Sequence, residues 1–279
     1  MLRSTGGETD PDTSNRRKDS SSRNRIRLDL LLVEKGLVES REKARSSIMA
    51  GLVEVDGTRV DKAGRLVSPS ASVKLQKEGN PYVSRGGLKL EAALRQFSVH
   101  LAGRVFLDVG ASTGGFTDCL LQHGAGKVIA VDVGYGQLHW KLRQDVRVRV
   151  LEKTNIRYLK PEAIQEAVDG AVIDLSFISL KLAIPAVSRL LTSNAFIIAL
   201  IKPQFEVGKG EVGRGGVVRD SAKHEEVLKN LAVFFENSGW TVEKTIPSPL
   251  LGPKGNKEFL VHLKRRRDPP HGEMTNGSP

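Results

Sequence analysis

The sequence predicts an α/β protein: a mainly parallel sheet covered on both faces by helices, preceded by a small α+β unit. Three observations carry this. From residue 105 onward, short apolar β-leaning runs alternate with helical patterns, and that alternation builds a parallel sheet. The first such run, Val105-Phe106-Leu107-Asp108-Val109, turns through small residues directly into a helical stretch, Phe116-Thr117-Asp118-Cys119-Leu120-Leu121. Residues 25–78 carry a separate pattern of two short helices and a hairpin.

The composition sets the limits. At 279 residues and 39% hydrophobic content, the chain can fill one large core and one small one. No apolar run reaches the roughly 20 residues a membrane span requires. A single cysteine excludes an internal disulfide, and Cys119, on a core helix, reads as a buried inert thiol. One cysteine and six scattered histidines form no ligand cluster, so no metal is expected. The net charge of +11 suits a polyanionic partner, although basic tails alone can produce such a total.

Residues 1–24 are polar and charged with nothing to bury, and read as a disordered basic tail. They contain no apolar h-region, so a cytoplasmic protein is expected. In the small unit, Leu28, Leu31, Leu32 and Lys35 share a helical face that Gly36 stops. Ser40 caps a second helix, 41–50, which carries Arg41, Lys43 and Arg45. Asp56-Gly57, between β-leaning runs in 52–60, signals a hairpin. Pro81 and the pair Gly86-Gly87 mark a linker over 79–87. The large domain, 88–265, opens with a helix over 88–97 that has Lys89 in its first turn. Strands follow at 105–109, 128–132, 146–151, 171–174 and 196–202, each leading into a helical segment. A helix over 224–237 and closing strands at 240–244 and 259–263 complete the domain. The stretch 266–279 reads as a second disordered tail.

In an open α/β sheet, ligands sit at the carboxyl ends of the strands. The turn after the first strand is not the dinucleotide fingerprint, because Ser112 stands where a glycine is required. Its pattern Asp108-x-Gly110-x-x-x-Gly114 looks like the first motif of S-adenosylmethionine methyltransferases. The cofactor contacts expected from that likeness are Asp108, Gly110, Ala111, Ser112, Thr113, Gly114, Gly115 and Phe116. Asp132, ending the second strand, suits the ribose hydroxyls, and Asn155 the adenine end. Asp174 and Lys202 also end apolar strands, which puts both charges at the mouth of the site. A buried lysine calls for a partner.

Further motifs give a more specific resemblance. The stretches Leu28-Asp29-x-Leu31-Leu32, Ser40-Arg41-x-x-Ala44-Arg45 and Gly51-x-Val53-x-Val55-x-Gly57 resemble an S4 RNA-binding domain. The remainder carries Ser84-Arg85-Gly86-Gly87-x-Lys89-Leu90, Val131-Asp132-Val133-Gly134-Tyr135-Gly136-Gln137-Leu138, Asp174-Leu175-Ser176-Phe177-Ile178-Ser179, Ile201-Lys202-Pro203-Gln204-Phe205-Glu206 and Gly255-Asn256-Lys257-Glu258-Phe259. Together with the cofactor turn, these resemble the TlyA/haemolysin-A-type ribosomal RNA 2′-O-methyltransferases, an S4 domain joined to a Rossmann-like FtsJ-type methyltransferase domain. The likeness covers roughly residues 25–265. One departure is the linker, where such proteins commonly carry Trp-Val and this chain has Tyr82-Val83.

The resemblance implies S-adenosylmethionine as cofactor and ribosomal RNA within ribosomal subunits as partner, with a cytidine of the large subunit as the favoured target. It places the Lys-Asp-Lys-Glu tetrad on Lys89, Asp174, Lys202 and Glu258. Lys202 is then the base or the hydroxyl orienter, Asp174 and Glu258 position it, and Lys89 completes the electrostatics. Arg27, Arg41, Lys43, Arg45, Arg65, Arg85 and Arg214 are candidate RNA contacts. Phe177 and Phe205 either stack on an extruded nucleotide or fill core. The competing readings are an RNA-binding protein without activity and, ranked lower, a membrane-lytic haemolysin.

Overall fold

The computed structural model describes residues 25–75, 80–208, 210–213 and 215–266. The segment 1–24, the tail from 267 and Arg214, all singled out in the sequence, lie outside these residues. The chain divides into two compact units, Met1–Lys77 and Glu78–Pro279.

In the first unit β1 (Ile26–Arg27) leads straight into α1 (Leu28–Glu34), followed by α2 (Arg41–Met49). Ser40 Oγ accepts the Lys43 amide at 3.2 Å, the cap its position predicts. β2 (Val53–Val55) and β3 (Thr58–Val60) form the hairpin, and β5 (Val73–Leu75) pairs on the other side of β2. β4 (Leu66–Val67) returns to pair antiparallel with β1. Leu28, Leu31, Leu32, Ala44, Ile48, Val53 and Val60 form the core, so both helices turn their apolar stripes towards the hairpin.

The first helix of the second unit is α3 (Gly86–Phe97), which starts two residues earlier than the apolar periodicity indicates. There follow β6 (Val105–Val109), α4 (Gly115–Gln122), β7 (Lys127–Val131), α5 (Trp140–Gln144), β8 (Val148–Leu151), β9 (Val168–Ile173), α6 (Leu180–Ser188), β10 (Leu191–Ile201), α7 (Ser221–Asn237), β11 (Trp240–Pro247) and β12 (Phe259–Arg265). The strand order is β11-β12-β10-β9-β6-β7-β8. β10, β9, β6, β7 and β8 are mutually parallel, while β12 runs antiparallel to both β10 and β11. This is a Rossmann-like mixed sheet with apolar residues on both faces. Leu107, Ile129, Ile173 and Ile197 face α6 and α7, whereas Phe106, Val128, Val172 and Ile198 face α3 and α4.

Two departures from the sequence pattern have local causes. No α-helix connects β8 to β9; the link contains two short 3-10 turns, Ile156–Tyr158 and Pro161–Ala163. Pro161 has no N–H to donate and biases Lys160 to extended backbone, which disfavours a helix running on from Ile156. β9 starts at Val168, three residues ahead of the apolar run. In this extension Asp169 accepts the Val105 amide at 2.9 Å. Gly170 lies flush on the Phe106 ring, where a Cβ would come within 2.9 Å.

The order reverses direction at the β6–β9 pair. β7 and β8 extend one way and β10 the other, which opens a crevice at the carboxyl ends of β6 and β9.

Candidate active site

One wall of the crevice is the turn from β6 to α4. Gly110 and Gly114 have φ of +87° and +93°, a region costly for residues with a Cβ. Space forbids one as well. A Cβ on Gly110 would stand 2.5 Å from the Asp174 carbonyl oxygen, and one on Gly114 2.2 Å from Leu142 Cδ1. Asp132, just past β7, accepts the amides of Ser112 at 2.8 Å and Gly134 at 2.7 Å. Each carboxylate oxygen keeps a lone pair for a further donor. Ala111, Thr113 and Phe116 are buried, so their side chains build the turn and leave its backbone to face the crevice. Asp108 lies fully buried beneath, accepting the Thr117 hydroxyl at 2.6 Å. Burial pushes its carboxyl up to about 7. Asn155, beyond β8, spends its side-chain oxygen capping the Arg157 amide at 3.1 Å.

The other wall is charged. Lys202 follows β10 and Asp174 follows β9; their ion pair measures 2.6 Å, and Lys202 also donates to Ser176 Oγ at 3.0 Å. Lys89, from the first turn of α3, pairs with Glu258 at 2.6 Å. Register explains why residues so distant in sequence meet. Ile201 of β10 lies opposite Phe259 of antiparallel β12, so Lys202 and Glu258 are the next positions outward on adjacent strands. Burial would raise the Asp174 carboxyl, but Lys202 and Lys89 together outweigh it and hold the group below the usual aspartate range. The two ion pairs are therefore one electrostatic cluster. Within it, Asp174 Oδ1 and Glu258 Oε1 are both buried oxygens with no hydrogen-bond partner.

This geometry can be compared with known proteins. The FtsJ-like methyltransferase profile matches residues 82–265, and the S4 domain profile matches residues 26–73. The chain belongs to the FtsJ-like methyltransferase family. It takes its methyl group from S-adenosylmethionine. One relative is the 16S/23S rRNA (cytidine-2′-O)-methyltransferase TlyA of Mycobacterium tuberculosis, 47% identical over 245 residues, 88% of this chain and 91% of the relative. Hemolysin A of Brachyspira hyodysenteriae is 41% identical over 240 residues, 85% of this chain and 99% of that one. A solved Streptococcus thermophilus structure, described as a candidate hemolysin, matches with a TM-score of 0.69 at 46% identity, covering 88% of this chain and 90% of that one.

The remaining candidates of this FtsJ-like methyltransferase are dispersed. In the S4 unit, Arg27 and Arg41 both grip Asp29, which is fully buried. Arg27 binds it through Nε at 3.0 Å and Nη2 at 2.9 Å, and Arg41 through Nε at 3.0 Å. Lys43 pairs with Glu39 on the same surface, and Arg45 and Arg65 are exposed. Arg85 stands at the N-cap of α3. Phe177 is 90% exposed with φ +65°, so it is not a core residue, and its ring lies 5.0 Å from that of half-buried Phe205.

Sequence reasoning quoted Ser176 and Glu206 inside motifs without giving either a role. Glu206 accepts the Ser179 hydroxyl at 2.6 Å and the Leu180 amide at 2.8 Å. Burial raises its carboxyl despite those two donors.

Proposed function

We propose that this FtsJ-like methyltransferase transfers the methyl of S-adenosylmethionine to a ribose 2′-oxygen in ribosomal RNA. The target is a cytidine, in the large subunit ahead of the small, and the reaction takes place in the cytoplasm. The observation that carries this reading is the juxtaposition at the switch point. The glycine turn presses against Asp174, and Asp174 pairs with Lys202. Donor and acceptor machinery thus share one strand end. The M. tuberculosis relative, whose name specifies cytidine 2′-O-methylation of 16S and 23S rRNA, supports the target class.

The residues present suit the cofactor. Gly110 and Gly114 leave the turn bare of side chains, the amides opening α4 suit a carboxylate, and Asp132 suits vicinal hydroxyls. Asn155 would face the adenine end. When bound, S-adenosylmethionine supplies a sulfonium-activated methyl, whose C–S electron pair departs with sulfur. The protein holds the acceptor. Lys202, the cation of its ion pair, donates an N–H to the 2′-oxygen and keeps it in line. That oxygen forms the new O–C bond with a lone pair, and its proton passes to water at the open mouth. Asp174 holds Lys202, Glu258 holds Lys89, and Lys89 helps keep Asp174 ionised. Alignment supplies more of the rate than proton transfer does. Exposed Phe177, backed by Phe205, gives an extruded base a face to stack on. Arg45 and Arg65, with the outer faces of Arg27 and Arg41, meet phosphates.

The test is transfer of labelled methyl to purified, unmodified 30S and 50S subunits, with Lys202→Ala in parallel. Label at a ribose with the wild-type protein but not the variant is expected. A Lys202→Ala protein that binds cofactor and RNA and methylates at the wild-type rate would refute the assignment. The hemolysin name of the Brachyspira relative motivates a second reading, membrane lysis. No helix among the described residues is long and apolar enough to cross a membrane. Liposome leakage at physiological salt would favour that second reading.

A further inference from the structure

Lys202 can direct a hydroxyl only if its own direction is fixed. Its ammonium has three N–H donors. One is directed to Ser176 Oγ at 3.0 Å, whereas the contact with Asp174 at 2.6 Å is an ion pair outside hydrogen-bond geometry, which leaves Asp174 Oδ1 without a hydrogen-bond partner. The buried stem of Lys202 fixes its Cε–Nζ bond, so one directed N–H sets the orientation of the other two. With the Asp174 ion pair alone, the ammonium could turn about Cε–Nζ and its donors would sweep a cone.

The loop that carries Ser176 is held with unusual redundancy. Asp174 anchors its start, donating its amide to the Val109 carbonyl at 3.0 Å. Ser176 meets Lys202, and Phe177 meets Phe205 at 5.0 Å. Ser179 and Leu180 meet Glu206 at 2.6 and 2.8 Å. The loop after β9 is thus fastened in step along the loop after β10. Phe177 meanwhile stays in the left-handed region at φ +65°, a strained conformation that persists only where its surroundings over-determine it. Ser176 itself is exposed at the mouth of the site, so its hydroxyl gains little as a packing element.

We propose that Ser176 is a positioning residue that fixes the direction of the free N–H of Lys202 towards the acceptor oxygen, and that Glu206 is the brace holding the Ser176 loop in register. The proposal rests on the role given above to Lys202. A misplacement of about 1 Å at a reacting group costs on the order of 100-fold in rate. Releasing the Ser176 hydrogen bond while the Asp174 ion pair stays in place should cost no more than that.

The experiment is steady-state methyl transfer to purified ribosomal subunits, with S-adenosylmethionine affinity measured by calorimetry. The proteins are the full-length chain and its variants Ser176→Ala, Ser176→Thr, Glu206→Gln and Lys202→Ala. Ser176→Ala is expected to lower kcat roughly 10- to 100-fold, with KM for the subunit and Kd for the cofactor within about twofold of wild type. Ser176→Thr, which restores the hydroxyl, should recover most of that loss. Glu206→Gln should lower kcat by a smaller factor with the same unchanged KM and Kd. Wild-type kcat in Ser176→Ala overturns the proposal. So does a raised KM at unchanged kcat, which would make Ser176 an RNA contact, and so does loss of cofactor binding, which would make it part of the fold. If Lys202→Ala itself turns over normally, the assignment of Lys202 fails first; if Lys202→Ala is inactive while Ser176→Ala is normal, only the present proposal fails.

Discussion

Each unit of this protein contains an aspartate served by two cations, and the two clusters are built oppositely. Asp29 accepts Nε and Nη2 of Arg27, Nε of Arg41 and the Leu30 amide, so both of its oxygens are filled. Asp174 has Lys202 at 2.6 Å and the field of Lys89, but its side chain remains 23% exposed. The charge balance differs as well, because Glu258 offsets Lys89 beside Asp174 whereas among the described residues nothing offsets the second arginine at Asp29 in the same way. Guanidinium forks match a carboxylate edge to edge and close it. Ammonium groups are point charges that can serve a carboxylate and still have donors for something else. The first arrangement therefore fastens a fold, and the second leaves a reactive opening. Cation type, more than carboxylate burial, separates the two.

The largest effect expected from this contrast is on Lys202→Ala. Methyl transfer should fall by about 10³-fold, while cofactor affinity and the unfolding midpoint change little; an equally large loss of stability would mean that the Asp174 cluster is a fastener after all. Lys202→Arg is the sharper form. An arginine there would close Asp174 as Arg27 closes Asp29, and activity should fall by roughly 10- to 100-fold although the charge is kept. Near-normal turnover in this variant would end the distinction between fork and point charge.

Asp29→Ala should act on stability and not on chemistry. We expect a loss of about 2 kcal/mol in urea unfolding, modest for a buried partner because both arginines stay half in water. The kcat on saturating subunits should stay within a few fold. Loss of kcat without loss of stability would contradict the fastener role. The smallest effect is the acid limb of the pH profile. A carboxyl held below its usual range supports activity above its folded pKa, and that support is lost as pH falls through it. Turnover attributable to Asp174 should therefore persist below the pH at which ordinary aspartates protonate, as a rate profile read down to the limit of folding would show. An acid limb in the normal aspartate range would mean that the lysines do not dominate burial.

The Asp174 cluster was legible in the sequence, and the Asp29 cluster was not. Asp174 and Lys202 end apolar strands, and strand ends are where sheets bind ligands, so periodicity alone placed them. Glu258 and Lys89 required the resemblance, because their meeting depends on β12 running antiparallel to β10 and on a helix outside the strand alternation. Asp29 lies on a helix whose neighbours Leu28, Leu31 and Leu32 are all core, and an isolated acid there reads as solvated until its two arginines are seen to converge. Ser176 and Glu206 could not be read in advance. Each acts through a contact between two loops 26 or 27 positions apart, and no period or composition marks it.

The placement of β12 also matters for how the protein is made. The cofactor turn and the Asp132 that holds it are complete once residue 132 has left the ribosome, and Asp174 and Lys202 precede Glu258 by more than fifty positions. Glu258 is different: it stands immediately before β12, the last strand among the described residues, and β12 pairs with both β10 and β11. A nascent or prematurely terminated chain therefore holds Lys89 without its counter-ion and β10 without one of its two neighbours. The order of synthesis thus delays the reactive centre until the domain is whole, and fragments from failed translation would lack the finished site.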